Sequence, residues 1–235
     1  MLTRARALLR DDDGFSLIEL LTALAIGSIV LTAVLMVFTN GLTNTAKVTD
    51  RLDATQRARI TTDVISSLLQ AGVCNNNTAP ITNASANSIT FTGNTGGPED
   101  SPVQYRIRWD SATKTVYEDM YSYSGQASST DSTLVYPATP TKTKVIGTNM
   151  QPQGDGTTLF TYYPFDTTAG TVAANPITAP GTNAVTLRTI VAIKTNLTSL
   201  PSRTKTSATD SAAPIEAQSV IGQVDPSNPG QGTQC

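Results

Sequence analysis

The sequence predicts an α+β protein in which one long N-terminal α-helix packs on a C-terminal head of antiparallel β-strands. Residues 15–40 are almost continuously apolar, as in a transmembrane helix, and residues 41–72 continue with helical spacing and no proline. Residues 73–235 contain short runs of alternating apolar and polar side chains between turns. Such half-buried strands need cover on one face, and the amphipathic half of the helix can provide it. Residues 1–14 form a separate N-terminal segment.

The composition excludes several catalytic classes. The 235 residues contain no histidine, which rules out Ser-His-Asp and Cys-His catalysis and every metal site that needs an imidazole. Two cysteines are too few for a Cys-rich zinc or iron–sulfur site. The net charge is −2, so no basic excess indicates nucleic acid or anionic lipid as a partner. We therefore predict no enzyme activity, no catalytic residues, no metal and no cofactor.

The apolar run of residues 15–38 contains one charge, Glu19. A helix of this length spans roughly 36 Å, enough for a hydrocarbon core of ~30 Å. A secretory signal peptide cleaved near Ala25 or Ala33 is the competing interpretation, but the apolar region of such peptides is shorter and ends at the cleavage site. Basic residues flank the run on both sides, so their count alone does not fix its orientation in a membrane.

The start of the apolar run has a distinctive order of residue types. A glycine is followed by an aromatic residue, a hydroxyl residue, two aliphatic residues, a glutamate and further aliphatic residues, in the order Gly14-Phe15-Ser16-Leu17-Ile18-Glu19-Leu20-Leu21. This junction resembles the class III signal of type IV prepilins and pseudopilins. The resemblance implies that a prepilin peptidase removes residues 1–14 by cutting between Gly14 and Phe15, and that Phe15 is then N-methylated. Members of that family often carry a basic residue immediately before the glycine, where this chain has Asp13.

The same resemblance implies a function and a location. It implies a single pass through the inner (cytoplasmic) membrane with the head outside the cytoplasm, followed by assembly into a cell-surface or periplasmic filament. The implied partners are other pilin or pseudopilin subunits, the peptidase, an inner-membrane assembly platform and membrane lipid. Residues 56–71 and the strands at 160–163 and 185–197 are similar to minor pilins and pseudopilins of the J or W type. The chain thus resembles a minor subunit of a type IV pilus or a type II secretion pseudopilus.

Two other functions stay open at this point. The head could be a binding module at a pilus tip, either an adhesin or a DNA-uptake subunit, or the chain could be an uncleaved membrane-anchored surface protein. Single-strand binding needs aromatic platforms beside basic grooves, and the sequence shows no basic–aromatic cluster in the head. We therefore expect no nucleic-acid partner.

Glu19 is the predicted assembly residue. An ionisable residue in a membrane segment is costly, and it indicates function by default. Cleavage after Gly14 creates an amine on Phe15, and the amine of a neighbouring subunit would neutralise Glu19 in an apolar filament core. The alternative is a carboxylate at the membrane boundary that is merely tolerated because the dipole at the helix N-terminus favours it.

Beyond the apolar run, the sequence predicts a helix that continues to about Leu69 and ends near Gly72. Its packing face is predicted from a row of aliphatic residues at helical spacing, which are Val48, Leu52, Ile60, Val64 and Leu68. Two pairs four residues apart, Asp53–Arg57 and Arg59–Asp63, are expected to support the exposed face.

The head is predicted to be built from strands and turns. The clearest strand is 103–109, followed by a turn at 110–114 and a partner strand at 115–121. Adjacent carboxylates at Glu118 and Asp119 would lie on opposite faces of that strand, as would Glu99 and Asp100 if they lie in one, so neither pair is an acid–base pair. Further strands are predicted at 88–92, 134–136, 144–146, 159–163, 185–197 and 219–224.

Cys74 and Cys235 are an even, widely separated pair in a chain with an export-type N-terminus, which favours a disulfide. The bridge would hold the Ser-, Thr- and Pro-rich tail against the junction of helix and head. Two free thiols are the alternative. Asp155 is interpreted as a turn residue, because a calcium loop would need denser Asp and Asn spacing.

Overall fold

A computed structural model describes residues 16–75, 78–94, 102–123, 125–126, 134–153, 157–166, 168–177, 179–200 and 213–220. It confirms the predicted fold class, a long N-terminal helix followed by antiparallel sheets. The chain divides into two compact units after Val48, and each is described by itself. The first unit is wholly helical over its described residues, and the second contains the end of the helix and all described strands.

Helix α1 runs from Leu17 to Gln70. No proline interrupts this stretch, and the chain leaves the helix at Ala71 and Gly72, as predicted. In the second unit, however, α1 buries a different face from the predicted one. Leu52 and Ile60 are exposed and Val64 and Leu68 are half-buried, whereas small and medium residues face the interior. Val48, the last residue of the first unit, is exposed as well. The buried row consists of Ala54, Ala58, Thr61, Ile65 and Leu69, with Asp50 and Thr62 beside it.

The first sheet has the strand order β1-β2-β3-β4-β7, all antiparallel. Its strands are β1 (Ile81–Ala84), β2 (Ser88–Gly93), β3 (Val103–Asp110), β4 (Thr115–Tyr121) and β7 (Lys142–Gly147). The predicted hairpin of β3 and β4 is confirmed, with Arg106 opposite Asp119 and Arg108 opposite Tyr117. A separate two-stranded pair joins β5 (Gly125–Gln126) to β6 (Leu134–Val135).

The second sheet has the order β10-β9-β11-β12, and β8 also pairs with β11. Its strands are β8 (Met150–Pro152), β9 (Phe160–Asp166), β10 (Thr171–Val172), β11 (Ile190–Ser199) and β12 (Ala213–Val220). Strand β11 lies at the centre, with both β9 and β12 antiparallel to it. The Trp109 indole N–H of the first sheet donates to the carbonyl of Met150 in β8 at 2.8 Å and so links the two sheets.

The predicted strand 185–197 is wrong in its first half. Residues Ala184–Thr189 form a short helix, α2, and the strand begins only at Ile190. Asn183 caps this helix, because its side-chain oxygen accepts hydrogen bonds from the backbone N–H groups of Val185 and Thr186. In a strand Val185 and Leu187 would lie on the same face, but in this helix Val185 is 77% exposed and Leu187 is buried.

The core of the second unit lies where Ile65 and Leu69 of α1 meet side chains from both sheets. The rings of Phe91 and Tyr105 stack with centroids 5.8 Å apart. The buried Tyr162 hydroxyl donates to the carbonyl of Ser85 at 2.7 Å, which satisfies the one polar atom of that side chain. Burial raises the pKa of Tyr162. The other members of the core include Ile89, Ile107, Met150, Phe160, Ile193 and Leu197.

Small residues on α1 allow strand β7 to approach the helix closely. A Cβ atom at Gly147 would lie 2.6 Å from Thr61 Oγ1 and 2.8 Å from Thr61 Cγ2. Thr61 cannot easily yield, because it is buried and its hydroxyl donates to the Ile146 carbonyl at 3.0 Å. The backbone of β7 therefore packs against α1 at a position where glycine is required.

We expect Gly147→Ala to lower the free energy of unfolding by about 1–3 kcal/mol, because the added methyl overpacks the contact with Thr61. Urea unfolding of the full chain in detergent, followed by near-UV circular dichroism, measures the change. Combining Gly147→Ala with Thr61→Ala should recover part of the loss, since it removes the two nearest atoms that the new Cβ would meet and leaves only Met150 Cγ at 3.1 Å. Equal stability of Gly147→Ala and the parent chain would contradict this packing.

Candidate functional site: the apolar helix and its glutamate

The surface of the first unit is apolar all round. Every side chain from residue 16 to residue 48 is exposed, and a window of α1 reaches a mean hydropathy of 2.5 with none of it buried. The helix is therefore long and apolar enough to cross a membrane. Soluble monomers rarely expose so large a continuous apolar surface. Its large side chains are Leu17, Ile18, Leu20, Leu21, Leu24, Ile26, Ile29, Val30, Leu31, Val34, Leu35, Met36, Val37, Phe38, Leu42 and Val48.

The hydroxyl groups in this segment bond to the helix itself. Thr22 donates to the Glu19 carbonyl at 3.0 Å, Ser28 to Ala25 at 2.8 Å, and Thr32 to Ser28 at 2.8 Å. Thr39, Thr43 and Thr45 bond back into the helix in the same way. These hydrogen bonds satisfy the hydroxyl donors without water. The polar atoms therefore do not prevent the surface from entering an apolar environment.

Glu19 lies in the first turn of α1 and is exposed. Its backbone N–H donates to the Ser16 carbonyl at 2.9 Å. The position gives the carboxylate a favourable interaction with the helix dipole, which carries partial positive charge at this end. Glu19 is the one charged residue between positions 17 and 46. The helix thus presents a single negative charge at the end of an apolar surface.

Several predicted site residues fall elsewhere or outside the described part of the chain. Gly14 and Phe15 lie outside the described residues, so cleavage between them and methylation of Phe15 stay predictions. Cys74 lies just past the end of α1 and is partly buried. Cys235 lies outside the described residues, and the Cys74–Cys235 disulfide stays a prediction. Asp155, Glu99 and Asp100 lie outside them too.

The head contains a cluster that the sequence reasoning missed. The Asp119 carboxylate accepts hydrogen bonds from Arg106 at 2.6 Å and 2.9 Å, from Arg108 at 2.8 Å and from Thr143 at 2.7 Å. Arg108 lies over the ring of Tyr117 at 4.3 Å. Its hydrogen bond to Asp119 raises the pKa of Arg108.

The expectation of no basic–aromatic cluster in the head is therefore wrong. The Arg106 guanidinium lies 5.7 Å from the ring centre of Tyr121, and that of Arg108 lies closer to the ring of Tyr117. Each of the two tyrosines therefore pairs with a guanidinium. Those arginines also share Asp119, which reduces the net charge of the cluster to +1. In each pair the guanidinium covers one face of the tyrosine ring from within the chain.

The described residues give no sign of a catalytic centre. They contain no group of three or more His, Cys, Asp or Glu side chains that could hold a metal ion. Glu118 and Asp119 face opposite sides of β4, as predicted, because Asp119 joins the arginines while Glu118 lines a groove beside α1. The expected ion pairs Asp53–Arg57 and Arg59–Asp63 are absent within 4.0 Å, and Arg57 instead donates to the Leu200 carbonyl at 3.0 Å.

Comparison with known families identifies the N-terminal segment. Residues 9–35 match the family model described as the prokaryotic N-terminal methylation motif, which is the class III signal of type IV pilins. The matched stretch contains Gly14, Phe15 and Glu19, and it confirms the resemblance seen in the sequence. No curated protein and no solved structure matches this chain.

Proposed function

We propose that this chain, which carries the class III signal of type IV pilins, is a minor pilin or pseudopilin assembled through α1 into a type IV pilus or a type II secretion pseudopilus. A prepilin peptidase removes residues 1–14, and Phe15 becomes the methylated N-terminus. Before assembly the chain spans the inner membrane with its head outside the cytoplasm. An assembly platform then transfers it to a filament of other subunits. The motif points to a structural subunit and not to an enzyme.

The observation that carries this proposal is the matched motif at the start of an exposed apolar helix. The motif supplies a processing signal at residues 9–35, and the helix supplies the surface that processing releases. Membrane lipid covers that surface before assembly, and neighbouring helices cover it afterwards. Packing of this kind removes the same apolar area from water in both states.

The exposed aliphatic row of α1 supports the same proposal. Leu52 is 64% exposed and Ile60 is 57% exposed, although both lie on a helix whose opposite face is buried. Exposed large aliphatic residues at helical spacing are typical of a surface that packs against another helix. Leu52 and Ile60, which the sequence assigned to the head, are thus available to other subunits.

A second candidate function is a binding module at the tip of a filament. The partly exposed arginines over Tyr117 and Tyr121 are the observation in its favour, because arginine and tyrosine are common at binding surfaces. However, both arginines form ion pairs with Asp119, which indicates that they stabilise the head. A filament subunit remains the better supported function.

Mass spectrometry of the protein purified from cell membranes tests the processing step. We expect the N-terminal peptide to begin at Phe15 with one added methyl group, and Gly14→Val to leave residues 1–14 attached. Gly27→Val is the matched control, because Gly27 lies in the same apolar helix with no atom within 4 Å of an added Cβ. Recovery of the parent chain with Met1 or its neighbours still present would contradict the proposal and favour an uncleaved membrane-anchored protein.

A further inference from the structure

A groove of about 530 Å³ lies beside α1 in the second unit. One wall is the helix, with Ile60, Val64 and Leu68, and the other is the first sheet, with Tyr105 and Met120. Glu118 also lines this space, and we call it the Glu118 groove. Its volume falls in the range of sites that bind small groups or side chains.

Glu118 is the unusual member of this lining. It is 6% exposed, yet its carboxylate makes no hydrogen bond or ion pair with any described residue. Lys144 lies directly opposite on β7, but the two side chains are not within the 4.0 Å of an ion pair. Asp63 adds a second negative charge to the same lining. With the positive charge of Lys144, the net charge of the lining is −1.

The chemistry of the groove specifies what it can bind. The Glu118 carboxylate keeps only a small contact with solvent, and a cationic hydrogen-bond donor would replace the water that it has lost. The aliphatic wall formed by Ile60, Val64 and Leu68 favours a cation carried on an apolar stem. Arginine combines these features, since its planar guanidinium pairs with a carboxylate through two hydrogen bonds. The best ligand is thus an arginine beside an aliphatic residue.

The chain itself presents such a pair on its surface. Arg51 is exposed and makes no ion pair with a described residue, and its neighbour Leu52 is 64% exposed. Arg51 cannot reach the groove of its own chain along a rigid helix, because nine residues separate it from Ile60, about 13 Å along the axis. A second copy displaced along the helix can bring them together.

We propose that the Glu118 groove of one subunit receives Arg51 and Leu52 of a second copy of this chain. The inference rests on the proposed filament function and names a contact within it. The contact joins two different surfaces, so the first subunit keeps its own Arg51 free and the second keeps its own groove free. Heterologous contacts of this kind continue as open filaments when the rotation between subunits does not close a ring.

A photo-crosslinking amino acid at Lys144, on the rim of the groove, tests the contact in the full-length chain in cells. We expect irradiation to give an adduct of twice the monomer mass, with the crosslink mapped by mass spectrometry to the helix around Arg51. The same amino acid at Val185, which is 77% exposed on α2, should give no such adduct. An adduct only with a different protein, or none at all, would overturn the proposal.

Exchanging the charges of Arg51 and Glu118 tests the pair directly in the same crosslinking experiment. Arg51→Glu changes only an exposed residue and should reduce the dimer adduct at least about tenfold, as should Glu118→Arg. The two changes together should restore it, because they re-form the pair with the charges exchanged. An adduct that Arg51→Glu leaves unchanged would exclude this arginine as the ligand, which overturns the proposal even if Glu118→Arg fails to fold.

The N-terminus of the same samples separates this inference from the proposed function. Methylated Phe15 without the dimer adduct would overturn the Glu118 contact and leave the filament function standing. An intact N-terminus with the adduct would support the contact and overturn the filament function. Loss of both would overturn both.

Discussion

Glu19→Ala should abolish incorporation into filaments while leaving the protein in the membrane and processed. Once Phe15 is the N-terminus, its amine is the closest cation that assembly can bring to Glu19, because no basic residue occurs between positions 15 and 46. We expect this pair to be charged and hydrogen-bonded in an apolar filament core, where it would favour one axial register between subunits. Without the carboxylate, the neighbour's amine is left unpaired in that core, which should cost at least about tenfold in incorporation.

Comparison of two cell fractions measures this effect. Quantitative immunoblotting of sheared filaments against membranes should show Glu19→Ala only in the membranes, with its N-terminus beginning at Phe15. Thr22→Ala is the matched control, because Thr22 lies in the next turn and its hydroxyl bonds only to the Glu19 carbonyl. Normal filament content of Glu19→Ala would show that the carboxylate is merely tolerated at the membrane boundary.

Asp119→Ala should be the most destabilising single change in the polar part of the head. Asp119 is fully buried and accepts hydrogen bonds from Arg106, Arg108 and Thr143. Removing it leaves two arginines facing each other without their shared counter-ion. Both arginines keep about a third of their side chains in water, so the expected loss is about 2–3 kcal/mol, less than for a fully buried pair.

Urea unfolding of the full chain in detergent measures this loss at pH 7. Asp110→Asn is the control, because Asp110 is only half-buried, lies at the end of β3 in the same hairpin and makes no ion pair with a described residue, so it should matter far less. Equal free energies of unfolding for Asp119→Ala and Asp110→Asn would show that the pairing of Asp119 with the two arginines does not stabilise the head.

The pH dependence of stability follows from the same carboxylate. Burial by itself raises the pKa of Asp119, but the hydrogen bonds from Arg108, Thr143 and Arg106 outweigh burial and hold that pKa below its ordinary value. A depressed folded-state pKa contributes stability above the unfolded value of about 3.9, and the contribution is lost as the pH falls toward the folded value. The difference in stability between the parent chain and Asp119→Ala should therefore narrow below about pH 4.

The sequence predicted elements whose signal is local. The hairpin of β3 and β4 follows from strict alternation on both sides of a turn, and α1 follows from a long stretch without proline. The arginine cluster was within reach of the same reasoning. Arg106 and Arg108 share one face of β3, and a hairpin closed at 110–114 places Asp119 opposite Arg106. Finding the cluster required only asking which residues of the two strands lie on the same face of the hairpin.

The buried face of α1 could not be read from hydrophobicity. Ala54, Ala58 and Thr61 carry little apolar area, yet all three are buried, and the backbone of β7 approaches Thr61 closely at Gly147. That approach depends on tertiary contacts that no local pattern encodes. The larger aliphatic residues gave a stronger signal and indicated the opposite face. The lack of a partner for Glu118 likewise depends on where the helix lies over the sheet, which spacing along the chain does not reveal.

Trp109, whose indole donates to the Met150 carbonyl, makes tryptophan fluorescence specific to the head. Trp109 is the single tryptophan of the chain, and its indole links β3 of the first sheet to β8, which pairs with the second. Its fluorescence should shift when those sheets separate, whereas events confined to residues 16–48 should leave the emission unchanged. One spectrum can therefore report whether a variant has lost its folded head before any loss of polymerisation is ascribed to its membrane helix.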